Sequence, residues 1–277
     1  MDELILEHGR AERHYWRDLW RYRELFYILA WRDISVRYKQ TVMGVAWAII
    51  QPLLTIFVMT IVFGTVAKLP SEGNAPYSIL VFAAMLPWQF FSTSLASASQ
   101  SLVGNANLIS KVYFPRMIIP AGAVISSFID FLVSFVILIA LMVWFRFWPT
   151  WRLVLLPLFM AFALFAAIGP GLLITALNVK YRDFRYVIPF LIQFGLYASP
   201  VGFSSSLIRE RFGDSVFAIY SLNPMVGVID GFRWAILGGE ISIYWPGFLV
   251  SCVIVALFLA CGLWYFRKTE KSFADII

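Results

Sequence analysis

The residues that could carry out chemistry in this 277-residue chain are few and scattered. His8 and His14 both precede the first apolar run, so no histidine is present for a metal or proton-relay site within the apolar part. No Gly-rich loop is followed by Lys-Ser or Lys-Thr, which excludes a P-loop for ATP hydrolysis. Cys252 and Cys261 share one apolar run without metal-ligand spacing. We therefore expect no catalytic residue, no metal site and no cofactor bound by this chain.

One carboxylate, Asp130, lies deep inside a long apolar run. A charge at the centre of a membrane costs about 2.5–3.5 kcal/mol, so this carboxylate should face protein or water rather than lipid. It is either a hydrogen-bond anchor between helices or part of the wall of a passage. Intramembrane enzymes and proton-coupled carriers usually need several convergent ionisable groups, and one is too few.

The composition predicts that almost the whole chain is embedded in a membrane. It is 61% hydrophobic and 14% charged, against about 45–50% and about 25% in soluble proteins, and its mean hydropathy is +0.79. Crossing a membrane takes about 20 apolar residues, and six runs qualify or nearly do: 42–67, 78–101, 117–145, 153–178, 186–203 and 246–266. The sequence predicts an all-α integral membrane protein with six transmembrane helices over 42–266 and terminal tails at 1–41 and 267–277.

The distribution of basic residues predicts the orientation of these spans. Of the 22 Lys and Arg, 16 lie in the two tails and in the connectors that share their side of the membrane. Connectors rich in Lys and Arg stay in the cytoplasm, so both termini are expected there. The net charge of +6 is then explained by orientation and contact with anionic membrane lipids, with no nucleic acid as partner.

The tail before the first span has the pattern of an amphipathic helix over residues 10–31. At 100° per residue, its arginines form one stripe and apolar side chains lie roughly opposite. The arginines of the stripe are Arg10, Arg13, Arg17 and Arg21. A basic helix with an apolar back lies in the membrane interface. This helix either anchors the chain to the membrane surface or surrounds the cytoplasmic entrance of a passage, where its arginines could contact an anionic substrate.

The longest outer connector, 204–245, contains two apolar segments that are too short to cross, Ser215–Leu222 and Met225–Leu237. Asn223-Pro224 breaks the helix between them, because proline removes a backbone donor and the residue before it avoids the α region. Two short helices joined at a break predict a re-entrant hairpin, about 215–238, between spans five and six. The alternative is a surface loop with two interfacial helices.

Six fragments of the chain carry a recognisable pattern. The first contains Arg37-Tyr38-Lys39-Gln40-Thr41, Gly44, Trp47 and Gln51-Pro52. The second contains Asn107-Leu108-Ile109-Ser110-Lys111, Phe114-Pro115 and Pro120. The other four are Tyr181-Arg182-Asp183, then Ser199-Pro200, then Asn223-Pro224 with Phe232-Arg233, and finally Lys268, Glu270 and Phe273-Ala274-Asp275. Together they resemble type-2 ABC permeases of the polysaccharide and polyol phosphate export branch, the branch of the O-antigen export permeases. They occur in the family's order and cover nearly the whole chain.

The resemblance implies a homodimer paired with two copies of a separate ATP-hydrolysing subunit, which would hold the ATP and Mg. The implied substrate is a long glycan on undecaprenyl pyrophosphate, such as O-antigen or a related capsular or teichoic acid polymer. The implied location is the cytoplasmic (inner) membrane. Two alternatives are a type-2 ABC permease for small hydrophobic drugs or lipids, and a membrane enzyme acting on polyprenyl-linked sugars. The sequence does not favour the membrane enzyme, because no paired acidic residues lie at a membrane face.

The resemblance also suggests two cytoplasmic sites. The connector between spans two and three is the candidate for coupling to the ATPase, through Asn107, Lys111, Phe114, Pro115 and Arg116. The end of the N-terminal tail is the candidate for the pyrophosphate head group, through charge-assisted hydrogen bonds from Arg32, Arg37 and Lys39. In both sites the alternative is that the basic residues only set the orientation.

For the passage itself, the resemblance implies that spans one and five of each protomer face each other across the dimer. The candidate lining residues are Trp47, Phe57, Phe190, Phe194 and Tyr197, with contact to lipid as the alternative. The candidate outer gate is the hairpin with Asn223, Pro224, Phe232 and Arg233. Ser199-Pro200 is expected to bend span five.

Overall fold

The computed structural model of the protein describes residues 15–39, 44–71, 75–181, 183–238 and 241–273. In these ranges the chain forms helices and connecting turns, without a β-strand. The helices are α1 (Tyr15–Arg21), α2 (Arg23–Lys39), α3 (Gly44–Met59, continued by a π-helical segment, Thr60–Val66), α4 (Tyr77–Gly104), α5 (Ala106–Lys111), α6 (Ile118–Trp144), α7 (Leu156–Lys180), α8 (Phe184–Ala198), α9 (Ser205–Tyr220), α10 (Pro224–Leu237) and α11 (Trp245–Thr269).

Five of the six predicted spans are helices long and apolar enough to cross a membrane. They are Ala46–Val66, Tyr77–Gly104, Ile118–Trp144, Trp151–Lys180 and Trp245–Ser272. Their ends lie within a few residues of the predicted ones, except that the last continues past 266 through a 3-10 turn, Glu270–Ser272. The agreement follows from the bilayer itself, where backbone polar groups must be satisfied within a continuous helix.

The fifth predicted span is shorter than expected. Helix α8 has 15 residues and is therefore about 22 Å long, less than the about 30 Å of a bilayer core. It ends at Ala198, and Ser199 is extended. The prediction that Ser199-Pro200 bends this helix was wrong, because both residues follow its last turn.

The connector after α8 contains two helices at an angle of 118°, the geometry of a broken span or a re-entrant loop. Helix α9 begins at Ser205, but Gly213 divides it, and the part after this break begins close to the predicted start of the first arm at about 215. The Ser204 side chain accepts a hydrogen bond from the Ser206 N–H at 3.2 Å and so caps this helix. Gly213, with φ of 81°, kinks α9 where a side chain would be strained.

The N-terminal helices pack against the spans. Ser126 in α6 donates a hydrogen bond to the Ala30 carbonyl at 3.4 Å, and Arg37 and Tyr38 reach Asp130, one turn further along α6. Helix α2 therefore runs alongside α6 instead of standing apart at a surface. Of the predicted arginine stripe, Arg17 and Arg21 are exposed, while Arg10 and Arg13 lie outside the described residues.

Helix α4 forms the centre of the bundle. Every residue from Ile79 to Trp88 is buried, because α6, α7 and α10 pack around this helix. A second apolar cluster lies where α1, α5 and the end of α11 meet, and it includes Tyr15, Leu29, Phe114, Phe266 and Phe273.

Helices α7 and α11 cross closely through small residues. A Cβ added to Gly169 would lie 2.6 Å from the Leu259 backbone nitrogen, and one added to Gly262 would meet the Gly169 carbonyl oxygen. Glycines let two backbones approach in a membrane, where close packing replaces the hydrophobic effect as the attraction between helices.

Candidate functional site

The segment between α4 and α6 places its five predicted coupling residues in different environments. Asn105, with φ of −114°, separates α4 from the six-residue helix α5. Asn107 and Lys111 are exposed on α5, whereas Phe114 and Pro115 are buried. The exposed pair is therefore accessible to another subunit, and the buried pair anchors the segment.

Arg116 joins this segment to the C-terminal end of α11. Its backbone N–H donates to Glu270 Oε1 at 2.6 Å, and its guanidinium donates to the Glu270 backbone carbonyl. Phe266 and Phe273 pack edge to face, with ring centroids 5.4 Å apart, in the cluster that also buries Phe114. The segment between α4 and α6 is therefore bonded and packed directly against the end of the last helix.

Helix α1 packs against the same place. The Arg267 guanidinium lies 4.8 Å from the centroid of the Tyr15 ring, which is cation–π geometry. Burial raises the pKa of Tyr15, so its phenol stays neutral at physiological pH. The N-terminal helix, the connector and the end of α11 are therefore held together as one unit.

The predicted head-group arginines have carboxylate partners within the chain. Arg32 Nη2 donates to Asp33 Oδ1 at 2.8 Å and to Asn105 Oδ1 at 3.0 Å, which ties α2 to the end of α4. Arg37 donates to Asp130 in α6. Lys39 is the last residue of α2, and its side chain lies outside the described part. The head-group role of the three residues stays a prediction.

Asp130 is a hydrogen-bond anchor between helices, the first of the two roles that the sequence left open, and its place in the wall of a passage stays a prediction. It accepts hydrogen bonds from Arg37 and from the Tyr38 hydroxyl, so it anchors α2 to α6. It also lines a cavity. Burial and the hydrogen bond to Asp130 raise the pKa of Tyr38, which keeps its phenol protonated as a donor.

The cavity lies between α2, α3, α4 and α6, is partly open, and has a volume of about 570 Å³. Its polar lining combines the Arg37–Asp130 pair with amides and hydroxyls from several helices. These other polar residues are Tyr38, Gln51, Thr55, Gln89, Thr93, Ser97 and Ser134. Trp47, Phe82 and Met85 contribute apolar surface. Polar groups set in a mostly apolar wall suit an amphipathic molecule.

The five predicted lining aromatics are all exposed on α3 and α8. Their exposed fractions range from 56% to 65%: Trp47, Phe57, Phe190, Phe194 and Tyr197. The Phe190 and Phe194 rings stack with centroids 6.3 Å apart, and Tyr197 follows on the same helix face. An apolar face of this kind contacts lipid, another subunit or the wall of a passage. The lining role therefore stays a prediction.

Asn223 and Pro224 form the turn of the hairpin. Asn223 Oδ1 accepts from the Met225 N–H at 3.0 Å and caps α10, and Pro224 occupies the first helical position. Asn223 Nδ2 donates to Ser199 Oγ at 2.9 Å, which fastens the turn to the end of α8. The gate role of Asn223 and Pro224 stays a prediction.

Phe232 and Arg233, the other predicted gate residues, are buried inside the protomer at 0% and 1% exposure. Arg233 donates to the Phe203 carbonyl at 2.8 Å and to the Val201 carbonyl at 3.1 Å. These two residues therefore do not face a passage within one protomer. Any gate role for them acts through the position of the loop that Arg233 holds.

Sequence reasoning assigned no role to Gln51, Gln89 and Glu270, which the structure places at the cavity and at the coupling segment. The first two had a readable signal, because an amide within a predicted span must face protein or water. Glu270 belongs to the C-terminal fragment of the family pattern, but its pairing with Arg116 could not be read from the sequence, since Arg116 lies 154 positions earlier. Among the described residues, no three His, Cys, Asp or Glu side chains are grouped to hold a metal ion.

Comparison with known proteins places this architecture in a family. The chain is 27% identical over 261 residues to the O-antigen export system permease protein RfbA of Myxococcus xanthus, covering 94% of this chain and 98% of that protein. It is 26% identical over 264 residues to the protein of the same name from Klebsiella pneumoniae, with 92% and 95% covered. It is 22% identical over 248 residues to the polysialic acid transport protein KpsM of Escherichia coli, with 87% and 92% covered. Residues 24–237 match the model of the ABC-2 type transporter family, and the chain belongs to that family.

Proposed function

We propose that this chain is the membrane permease of an ABC exporter that moves a lipid-linked polysaccharide across the cytoplasmic (inner) membrane. The observation that carries the proposal is the match to O-antigen export permeases along nearly the full length of both chains. O-antigen is the favoured polymer, carried on undecaprenyl pyrophosphate. The similarity to a polysialic acid transport protein leaves a capsular polymer as the next candidate, followed by teichoic acid.

The energy for transport is supplied from outside this chain, which contains no P-loop sequence. We infer a homodimer with two copies of a separate ATPase subunit that binds the ATP and Mg, and both termini in the cytoplasm. The exposed Asn107 and Lys111 on α5 suit contact with that subunit. The bonds between Arg116 and Glu270 would then carry its movement into α11.

The passage is proposed to run along the exposed aromatic faces of α3 and α8 from the two protomers. Aromatic planes pack well against the C–H faces of sugar rings. The head group would be received at the end of α2. Arg32 and Arg37 are each paired with a carboxylate, Asp33 and Asp130 respectively, so a pyrophosphate would have to compete with that carboxylate for either arginine. Lys39 is the third candidate.

The test is deletion of the gene in its host, followed by analysis of surface polysaccharide and of lipid-linked glycan inside the cell. We expect the deletion strain to lose the surface polymer and to accumulate the lipid-linked glycan. Expression of this chain should reverse both changes. Purified permease with its ATPase subunit should then move the glycan into proteoliposomes only with ATP. Normal surface polymer in the deletion strain, or glycan transport without the ATPase subunit, would overturn the proposal.

A further inference from the structure

The cavity between α2, α3, α4 and α6 contains polar groups that the protein does not satisfy. Within the described ranges, the side chains of Gln51, Gln89, Ser97 and Ser134 line it without a hydrogen-bond partner. Ser134 is buried in α6, in the middle of a membrane-spanning helix. Unpaired polar groups are costly in a membrane, so these side chains, which are accessible from the cavity, favour water or a polar ligand there.

The charges of the cavity favour a neutral ligand. Among its described lining residues, Arg37 and Asp130 are the charged ones, and they bind each other. An anion would have to take Arg37 away and leave the Asp130 carboxylate without its cation in a medium of low dielectric constant. A cation would meet the same problem with the signs reversed.

The size of the cavity and the polar groups in its wall are compatible with a sugar ring. A volume of about 570 Å³ lies within the range of about 300–1,000 Å³ for small-molecule sites. Amides and hydroxyls that both donate and accept suit the hydroxyl groups around a sugar ring. The Trp47 indole, 56% exposed, offers a flat apolar surface for the C–H face of the ring.

We propose that this cavity binds uncharged sugar residues of the exported glycan, separately from the pyrophosphate. The inference rests on the proposed function and names the part of the substrate that this site recognises. Gln51 and Gln89 bind the hydroxyl groups, Trp47 packs against the ring, and the Arg37–Asp130 pair supplies one donor surface and one acceptor surface without net charge.

The experiment uses the complete permease–ATPase complex in lipid nanodiscs. ATPase activity is measured against two probes, undecaprenyl pyrophosphate that carries a neutral oligosaccharide and undecaprenyl pyrophosphate without sugar. Gln89→Ala is compared with Gln100→Ala, a matched glutamine that is exposed on the same helix outside the cavity. We expect Gln89→Ala to raise the half-maximal concentration of the glycan-bearing probe about tenfold and to leave the response to the sugar-free probe unchanged. Gln100→Ala should change neither.

A second measurement does not depend on ATPase activity. Thr93→Cys, combined with Cys252→Ser and Cys261→Ser, places a single thiol on the cavity wall. The glycan-bearing probe should slow its alkylation, and the sugar-free probe should not.

The outcomes separate this inference from the proposed function. An equal effect of Gln89→Ala on both probes, or equal protection of the introduced thiol by both probes, overturns the sugar site in favour of a head-group site. No effect and no protection overturn any ligand role for the cavity. A wild-type complex that neither binds nor exports the glycan-bearing probe overturns the proposed function, and this inference with it.

Discussion

Arg37, near the end of α2, donates a hydrogen bond to Asp130 in the middle of α6, 93 positions further along the chain. The pair joins the N-terminal helix to the membrane domain and gives a carboxylate at mid-span the partner that it needs. Tyr38 adds a second donor to the same carboxylate. Asp130 therefore fixes the end of α2 that forms one wall of the cavity, in addition to the contacts that Ala30 and Arg32 make with α6 and α4.

Asp130→Asn tests this role. The substitution removes the negative charge that Arg37 faces at the cavity, so we expect the free energy of unfolding to fall by about 1–3 kcal/mol. Thermal unfolding in detergent measures the change. Asp33→Asn is the matched control, because Asp33 pairs with its neighbour in sequence, Arg32, and so joins no second helix, and such an ion pair contributes about 0–1 kcal/mol. Equal losses in the two variants would show that the Asp130 pair has no special role.

Lys111→Glu tests the coupling surface. The side chain is exposed on α5, so the free energy of unfolding should stay within about 0.5 kcal/mol of wild type. Association with the ATPase subunit should weaken roughly tenfold, because an acidic side chain replaces a basic one at the contact. Co-purification and export of the glycan measure this. Lys68→Glu, an exposed lysine between α3 and α4, is the control. Unchanged association for Lys111→Glu would remove this residue from the coupling surface.

Phe114→Ala should behave differently from Lys111→Glu, although the sequence placed both residues in one site. Phe114 is buried in the cluster with Phe266 and Phe273, so the substitution leaves a cavity. We expect a loss of about 3–5 kcal/mol in the free energy of unfolding, with export falling because less protein is folded. Export per folded molecule, measured after size-exclusion chromatography, should be nearly normal. A stable Phe114→Ala protein that fails to export would instead indicate direct contact with the ATPase.

Gly262→Ala tests the close crossing of α7 and α11. The added methyl group would meet the Gly169 carbonyl oxygen, which is backbone and cannot move aside. We expect a loss of about 1–3 kcal/mol in stability, measured by thermal unfolding. Gly104→Ala is the control, since a Cβ there has open space around it. Wild-type stability for Gly262→Ala would mean that the two helices are further apart than described.

Tyr197→Ala tests the exposed aromatic face of α8. The ring is 64% exposed, so stability should be unchanged within about 0.5 kcal/mol. If sugar rings pass along this face, the loss of one aromatic contact of about 0.5–1.5 kcal/mol should lower the export rate about two- to tenfold. Leu249→Ala on α11, 60% exposed, is the control. The same export rate in both variants would assign Tyr197 to lipid contact.

The sequence alone determined where the chain crosses the membrane. Five spans were predicted to within a few residues. In a bilayer the backbone polar groups of a span must be satisfied within a continuous helix, so a long apolar run in the sequence indicates such a helix. The break at Asn223-Pro224 was equally readable, because proline and the residue before it act locally. The part of α9 before the break at Gly213 was not predicted, since it is polar and depends on the Ser204 cap rather than on hydropathy.

Only the tertiary structure decided which residues meet. Arg37 and Arg233 both looked like site residues, yet one is paired with Asp130 and the other is buried against backbone carbonyls of the 199–204 loop. Phe114 and Lys111 are three positions apart and face a core and a surface respectively. Hydropathy depends on each residue and its neighbours in sequence, whereas pairing across a bundle depends on how helices far apart in the chain are rotated and tilted against each other.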